Sequence, residues 1–189
     1  IEPPVTVLSN YALLSRGELL VGLQGRQWVP TERHPPGEAA RTLADDNARA
    51  QLLIDDGSVA ASAPEQVRYL KSMPSIDAPY RVGTQLRNLA GVLDQRGGSY
   101  RLHPSERIDA EQAPRPESAP EVEGQIRVAS FNLLNFFNGD GKGGGFPTAR
   151  GASDAEELTR QRAKLLSALK AMDADVYAVI EVENDGYEK

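Results

Sequence analysis

Hydrophobic positions change their pattern twice along the chain. Over the first hundred residues they come in short runs, at 5–8, 18–23, 52–55, 85–93 and 99–102. Turn chemistry bounds the runs: Ser9-Asn10, Arg16-Gly17, Asp56-Gly57 and Gly97-Gly98. Short apolar runs between such breakers predict strands. Gly97-Gly98 joins the last two as a hairpin, because paired glycines supply the positive φ of a tight turn. One stretch differs. Residues 38–51 are rich in Ala, Arg, Leu and Asp and follow Pro35-Pro36-Gly37, which predicts a short helix. Five short strands and one helix in about a hundred residues predict a small barrel.

The pattern then stops. Residues 104–124 hold four prolines, six acids and two arginines, with Ile108 and Val122 as the large apolar side chains. Such a stretch cannot bury a core and predicts an extended linker. At 126–131, Ile-Arg-Val-Ala-Ser-Phe offers apolar or small residues to both faces, as strands of a buried sheet do. A glycine-rich loop follows at 138–151. Ser153 and Glu156 then form a capping box. Leu158, Leu165, Leu166, Leu169 and Met172 continue at helical spacing, and Asp173-Ala-Asp175 ends the helix. Residues 176–182 read as a second two-faced strand. Strand, helix, strand implies a parallel pair with a crossover helix. The expected organisation is an all-β barrel at 1–103, a linker at 104–124 and an α/β unit at 125–189.

Charge and composition narrow the chemistry. The 189 residues carry a net charge of −6, which excludes a basic nucleic-acid coat. Contact with phosphate must be local or carried by a metal ion. There is no cysteine, so disulfides, cysteine-bound zinc and thiol catalysis are excluded. No apolar run is long enough to span a membrane, and residues 1–8 do not read as a signal peptide. A chain beginning with Ile reads as an excised piece of a longer protein.

In a parallel unit the loops after the strands open at one edge, and sites form there. Asn132 lies at the end of the first strand and Glu181 near the end of the second. Two oxygen donors side by side suit a hard cation such as Mg²⁺. An ordinary strand-end turn residue and strand-end carboxylate would read the same way. Glu181 stands within Val179-Ile-Glu-Val182, however, where a carboxylate is costly unless paired or metal-bound. Gly139-Asp-Gly-Lys-Gly143 is not a phosphate-binding P-loop, since Lys142 is followed by glycine. It is not a calcium loop either, since its twelfth position is Ala149. It reads as a glycine-rich loop, with Lys142 and Arg150 as the alternative contacts to backbone phosphates. Tyr11, Trp28, Tyr69, Tyr80 and Tyr100 read mainly as core and turn residues, with stacking of single-stranded bases as the alternative. Arg81, Arg87, Arg96 and Arg101 read as a solvated face among nearby acids, with a basic stripe as the alternative; His34 and His103 read as surface residues, as do Arg160 to Lys164 on the helix.

The segment Arg127-Val-Ala-Ser-Phe-Asn132-Leu-Leu-Asn135-Phe-Phe, followed by Ala174-Asp-Val-Tyr-Ala-Val-Ile-Glu181-Val-Glu-Asn-Asp, resembles the opening of the endonuclease/exonuclease/phosphatase superfamily, with its DNase I-like fold. The loop Asn138-Gly-Asp-Gly-Lys-Gly-Gly-Gly-Phe-Pro-Thr-Ala-Arg-Gly and the run Glu183-Asn-Asp-Gly-Tyr187 resemble the large secreted bacterial nucleases of the ExeM/NucH type. There an OB-like barrel precedes the nuclease domain. Leu53-Ile-Asp-Asp-Gly57, Tyr80-Arg-Val-Gly83 and Gly91-Val-Leu-Asp94 fit such a barrel here. The resemblance implies a secreted or cell-surface bacterial enzyme that hydrolyses DNA, with RNA as a second substrate. It implies Glu181 as ligand of a catalytic Mg²⁺, with Ca²⁺ or Mn²⁺ as alternatives, and Asn132 orienting the scissile phosphate or the metal. The family's later motifs, a catalytic His, an Asp-x-Asn pair and a final Asp-His, do not follow Glu181. The expectation is therefore an N-terminal portion of a nuclease, inactive alone, that packs against the rest of its domain or a second copy. The alternatives are a non-catalytic binding module centred on the barrel, and a superfamily phosphatase or phospholipase.

Overall fold

The computed structural model describes residues 1–58, 67–75, 78–139 and 145–184. It divides into two compact units, Ile1–Arg115 and Pro116–Lys189.

The first unit is a seven-stranded mixed sheet. Strands β1 (Val5–Ser9), β2 (Glu18–Gly22) and β3 (Gln51–Asp55) form an antiparallel meander. Short helices α1 (Leu13–Arg16) and α2 (Pro30–Arg33) and the longer α3 (Glu38–Arg49) fill its connections. Strands β4 (Gln85–Arg87), β5 (Gly91–Arg96), β6 (Ser99–Pro104) and β7 (Asp109–Glu111) complete the order β5-β6-β3-β2-β1-β4-β7. β6 lies parallel to β3. The β5–β6 hairpin turns on Gly97 and Gly98, both at positive φ (61° and 81°), as their sequence predicts.

The expected barrel is not closed. The run 85–93, read as one strand, breaks at Asn88, which sits left-handed at φ 58°. β4 stays on β1 while β5 leaves to pair with β6, so the two stand toward opposite ends of the pairing order. Among the described residues no ladder joins β5 to β7, and both remain edges.

The core follows the period of two. Val5 and Val7, Leu19 and Val21, and Leu52 and Ile54 point one way from three neighbouring strands and are all buried. Leu86, Leu102, Leu13 and Tyr69 close over them. Ile108, 1% exposed, joins the same cluster, which corrects the expected linker boundary. Its amide donates to the Tyr69 carbonyl at 2.9 Å. The next residue, Asp109, starts β7, pairs with Lys71 and accepts from the Asn88 amide side chain at 2.5 Å. The first unit therefore runs to Arg115, and 114–128 are exposed throughout.

One polar cluster ties the sheet together. Arg101 on β6 donates through Nη1 to Glu18 Oε1 on β2 (2.8 Å) and to Asp55 Oδ2 on β3 (2.7 Å). Asp55 is buried. Replacing Arg101 with Ala leaves two shielded carboxylates facing each other without a cation. Breaking a buried pair costs about 3–5 kcal/mol, and partial exposure of these side chains lowers the expected loss to about 2–3 kcal/mol. Urea denaturation measures it. A loss below about 0.5 kcal/mol would mean the cluster acts as an ordinary surface bridge.

In the second unit, β8 (Val128–Phe136) and β9 (Val176–Val182) pair in parallel, joined by α4 (Ala155–Met172). The helix cap lies one residue beyond the expected Ser153 box. Asp154 is the N-cap and its Oδ1 accepts from the Glu157 amide at 2.7 Å. Glu157 reaches back to the Ser153 hydroxyl and amide, and these bonds, the hydroxyl first, hold its carboxyl below the usual range. The sequence Ser-Asp-Ala-Glu-Glu carries both registers. The acidic cap additionally meets the positive end of the helix dipole. Among the described residues no helix is long and apolar enough to cross a membrane.

This unit has almost no interior. Among its described apolar residues Leu133 and Ala152 are buried, and α4 buries none. Val128 (70% exposed), Val176, Val179 and Ile180 (53%) face solvent instead.

Candidate metal centre

The parallel pairing puts the C-terminal ends of β8 and β9 at one edge. The ladder is regular from Val128↔Val176 to Asn132↔Ile180 and resumes at Phe136↔Val182. Four residues on β8 therefore span two on β9, and the excess is taken up in a bulge. Leu134 (φ 57°) and Asn135 (φ 50°) on β8, and Glu181 (φ 62°) on β9, are all left-handed. For non-glycine residues this costs roughly 1–2 kcal/mol each. Such strain persists only where the surroundings enforce it.

Side chains enforce it here. Asn132 Oδ1 accepts from the Leu134 amide at 2.8 Å, and Glu181 Oε2 accepts from the Asn135 amide at 3.0 Å. From α4, Gln161 Nε2 donates to the Leu133 and Leu134 carbonyls at 3.0 and 2.8 Å. Glu183 Oε2 accepts from the Asn138 amide at 2.7 Å, one step further out. Asn132 and Glu181 thus serve consecutive amides of one turn, and meet at the edge where the sequence expects them. Asn132 differs from expectation in one respect: it lies inside β8, which continues to Phe136, rather than at its end. Within β9, Glu181 is the half-buried residue while its apolar neighbours are exposed. That inverts the usual preference of a strand.

The donors at this turn are all oxygens. Among the described residues no three His, Cys, Asp or Glu side chains gather into a metal-holding group. A cation here would draw on Asn132 and Glu181 and keep most of its shell as water, which suits Mg²⁺ rather than Zn²⁺ or a fully caged Ca²⁺. Each side chain has already given one lone pair to an amide and has another to offer.

Beside the turn lies a cavity of about 350 Å³, lined by Leu134, Arg150, Glu157, Arg160, Gln161 and Lys164 among others. Leu134 belongs to both. Arg160 and Lys164, read from sequence as a solvated helix face, therefore line a concave surface that shares Leu134 with the turn, and Arg160 is paired with Glu156 at 2.7 Å. Lys142 lies outside the described residues. The arginines 87, 96 and 101 are paired with Glu111, Asp94, and Glu18 with Asp55, and Arg81 donates to the Pro114 carbonyl, so they form no free basic stripe. Sequence reasoning missed Asn135 and Gln161. Asn tolerates left-handed φ better than most residues, and that was the available signal for Asn135. Nothing in the sequence marks Gln161.

No protein-family model matches the chain, and neither curated proteins nor solved structures give a match.

Proposed function

We propose that the β8–α4–β9 unit carries the metal-binding edge of a metal-dependent endonuclease of the DNase I-like type, cleaving phosphodiester bonds of DNA and, as a second substrate, RNA. The observation that carries this reading is the strained turn on which Asn132 and Glu181 hold consecutive amides. It keeps a half-buried carboxylate at the open end of a parallel pair. A Mg²⁺ bound there would offset phosphate charge and lower the pKa of a bound water. Glu181 would hold that cation, and Asn132 would orient it or the phosphate. Arg150 and Lys164, which line the cavity beside the turn, would take neighbouring backbone phosphates. The exposed strand faces further support a unit that works under additional layers, because a parallel sheet is normally covered on both sides.

A region without histidine lacks the usual general acid and base at neutral pH. The chain alone should therefore leave supercoiled plasmid intact with Mg²⁺, Mn²⁺ or Ca²⁺, while the intact gene product nicks it and chelator stops the reaction. Robust nicking by the purified chain would overturn the division of labour proposed here. Hydrolysis of phospholipid or phosphate monoesters in preference to DNA would assign the same edge to another substrate.

A further inference from the structure

A concave feature of the first unit lies far along the sequence from Glu181 and does not depend on the nuclease reading. A cavity of about 640 Å³ opens between the loop at 23–29, α2 and the end of α3, lined by Arg26, Trp28, Arg33, His34, Asn47 and Arg49 among others. Its volume falls within the roughly 300–1,000 Å³ of small-molecule and cofactor sites.

Three observations say what it would take. Trp28 is 45% exposed and is flanked by cations: the Arg33 guanidinium stands 3.9 Å from the ring centroid and that of Arg26 5.5 Å. The lining holds three arginines against one carboxylate, Asp46, which pairs with Arg49 at 2.5 Å. That is an excess of +2 in a chain of net charge −6. Finally, the cavity is built in advance of any ligand. Gln27 Nε2 donates to the Asn47 carbonyl (2.8 Å), Asn47 Nδ2 to the Trp28 carbonyl (2.9 Å), and Gln51 Nε2 to Gln27 Oε1 (2.7 Å). The Leu23 amide donates to the Ala50 carbonyl at 2.8 Å. The turn is tight: a Cβ on Gly22 would stand 2.4 Å from the Gly25 carbonyl oxygen. These bonds fasten the tryptophan loop to α3, so little ordering is left for binding to impose.

We propose that this cavity binds an unpaired nucleobase together with its phosphate, as presented by a single-stranded nucleic acid. The base stacks in the Trp28–Arg33 array, since guanidinium planes and indole faces both accept bases. Arg26, which is not committed to a carboxylate among the described residues, takes the adjoining phosphate, while Arg49 is held by Asp46. Duplex is a poor ligand, because a paired base cannot leave its stack to enter a concave site without the cost of unpairing.

Trp28 is the one tryptophan of these 189 residues, so tryptophan-selective fluorescence of this chain reports from the cavity. A short oligodeoxythymidylate should quench it saturably, with a Kd in the range of about 10⁻⁴–10⁻⁶ M at physiological salt. Arg33→Ala and Arg26→Ala should each weaken binding at least about tenfold. Trp28→Ala, followed by anisotropy of a labelled oligonucleotide, should do the same. All three side chains are exposed, and thermal unfolding checks that the fold persists. Thymidine monophosphate binding as tightly as the oligomer would assign the cavity to free nucleotides; weaker binding assigns it to strands. Both outcomes keep the base-plus-phosphate chemistry. Inorganic polyphosphate or a polyglutamate peptide competing as well as the oligomer at equal charge would overturn the proposal, since neither has a base. So would oligomer binding that neither quenches Trp28 nor responds to Arg33→Ala.

Discussion

On the nuclease reading proposed above, Glu181→Gln in the intact gene product should lower metal-dependent DNA cleavage by about 10³-fold. A metal ligand's charge supports several kcal/mol of transition-state stabilisation, and each 1.36 kcal/mol is tenfold in rate. The substitution is unusually clean at this position. Glutamine keeps a carbonyl oxygen that can accept from the Asn135 amide, now served by Glu181 Oε2 at 3.0 Å. The bulge should therefore survive while the charge is removed, and the melting temperature should move by no more than about 2 °C. Glu183→Gln tests the assignment. Its carboxylate serves the Asn138 amide, one step beyond the turn, so only a small loss is expected there. Asn132→Ala should be strongly impaired and also less stable, because it removes the acceptor for the Leu134 amide. An equal loss at Glu183 with little at Glu181 would mean the carboxylates are assigned the wrong way round.

The second large effect concerns the faces of β8 and β9. Val179→Lys should change the stability of the chain alone by less than about 0.5 kcal/mol, as at ordinary exposed positions, because Val179 is 46% exposed. In the intact gene product the same change should prevent folding or cost upward of about 3 kcal/mol, if added layers cover the strands. Covering a Val or Ile side chain contributes roughly 1.5–3 kcal/mol. Val128, Val176, Val179 and Ile180 together would then match the whole stability of a small domain. A two-stranded sheet without such cover is marginal. In the chain alone, amides of β8 and β9 should exchange far faster than those of β1, β2 and β3, whose side chains form the core. Equal protection in both units of a monomer would contradict this account of the second unit.

What was legible in the sequence was local. The helix α3 follows from Pro35-Pro36-Gly37 and the composition behind it, and the β5–β6 hairpin from two adjacent glycines. Both signals act over a few residues and need no knowledge of the fold. The broken barrel was not legible. The left-handed φ of Asn88 matters because it releases β5 toward β6, a partner that lies later in the chain. Ile108 is hidden for the same reason: one apolar residue among prolines and acids looks like linker until β4 offers β7 an edge. At the candidate site the residue types and the shared edge could be read, because a parallel pair fixes both. The left-handed turn could not, since it is held by Gln161 from α4 and by Glu181 from the neighbouring strand. Trp28 carried too little context in sequence. Its exposure and its arginine neighbours depend on Gln27 and Asn47 fastening the loop.

The most direct test of the proposed metal centre is a Mn²⁺ titration of the intact gene product, with bound ion counted by electron paramagnetic resonance. Glu181→Gln should remove one bound Mn²⁺ while Glu183→Gln leaves the count unchanged. Identical Mn²⁺ binding by the unaltered protein and by Glu181→Gln would contradict the proposed centre.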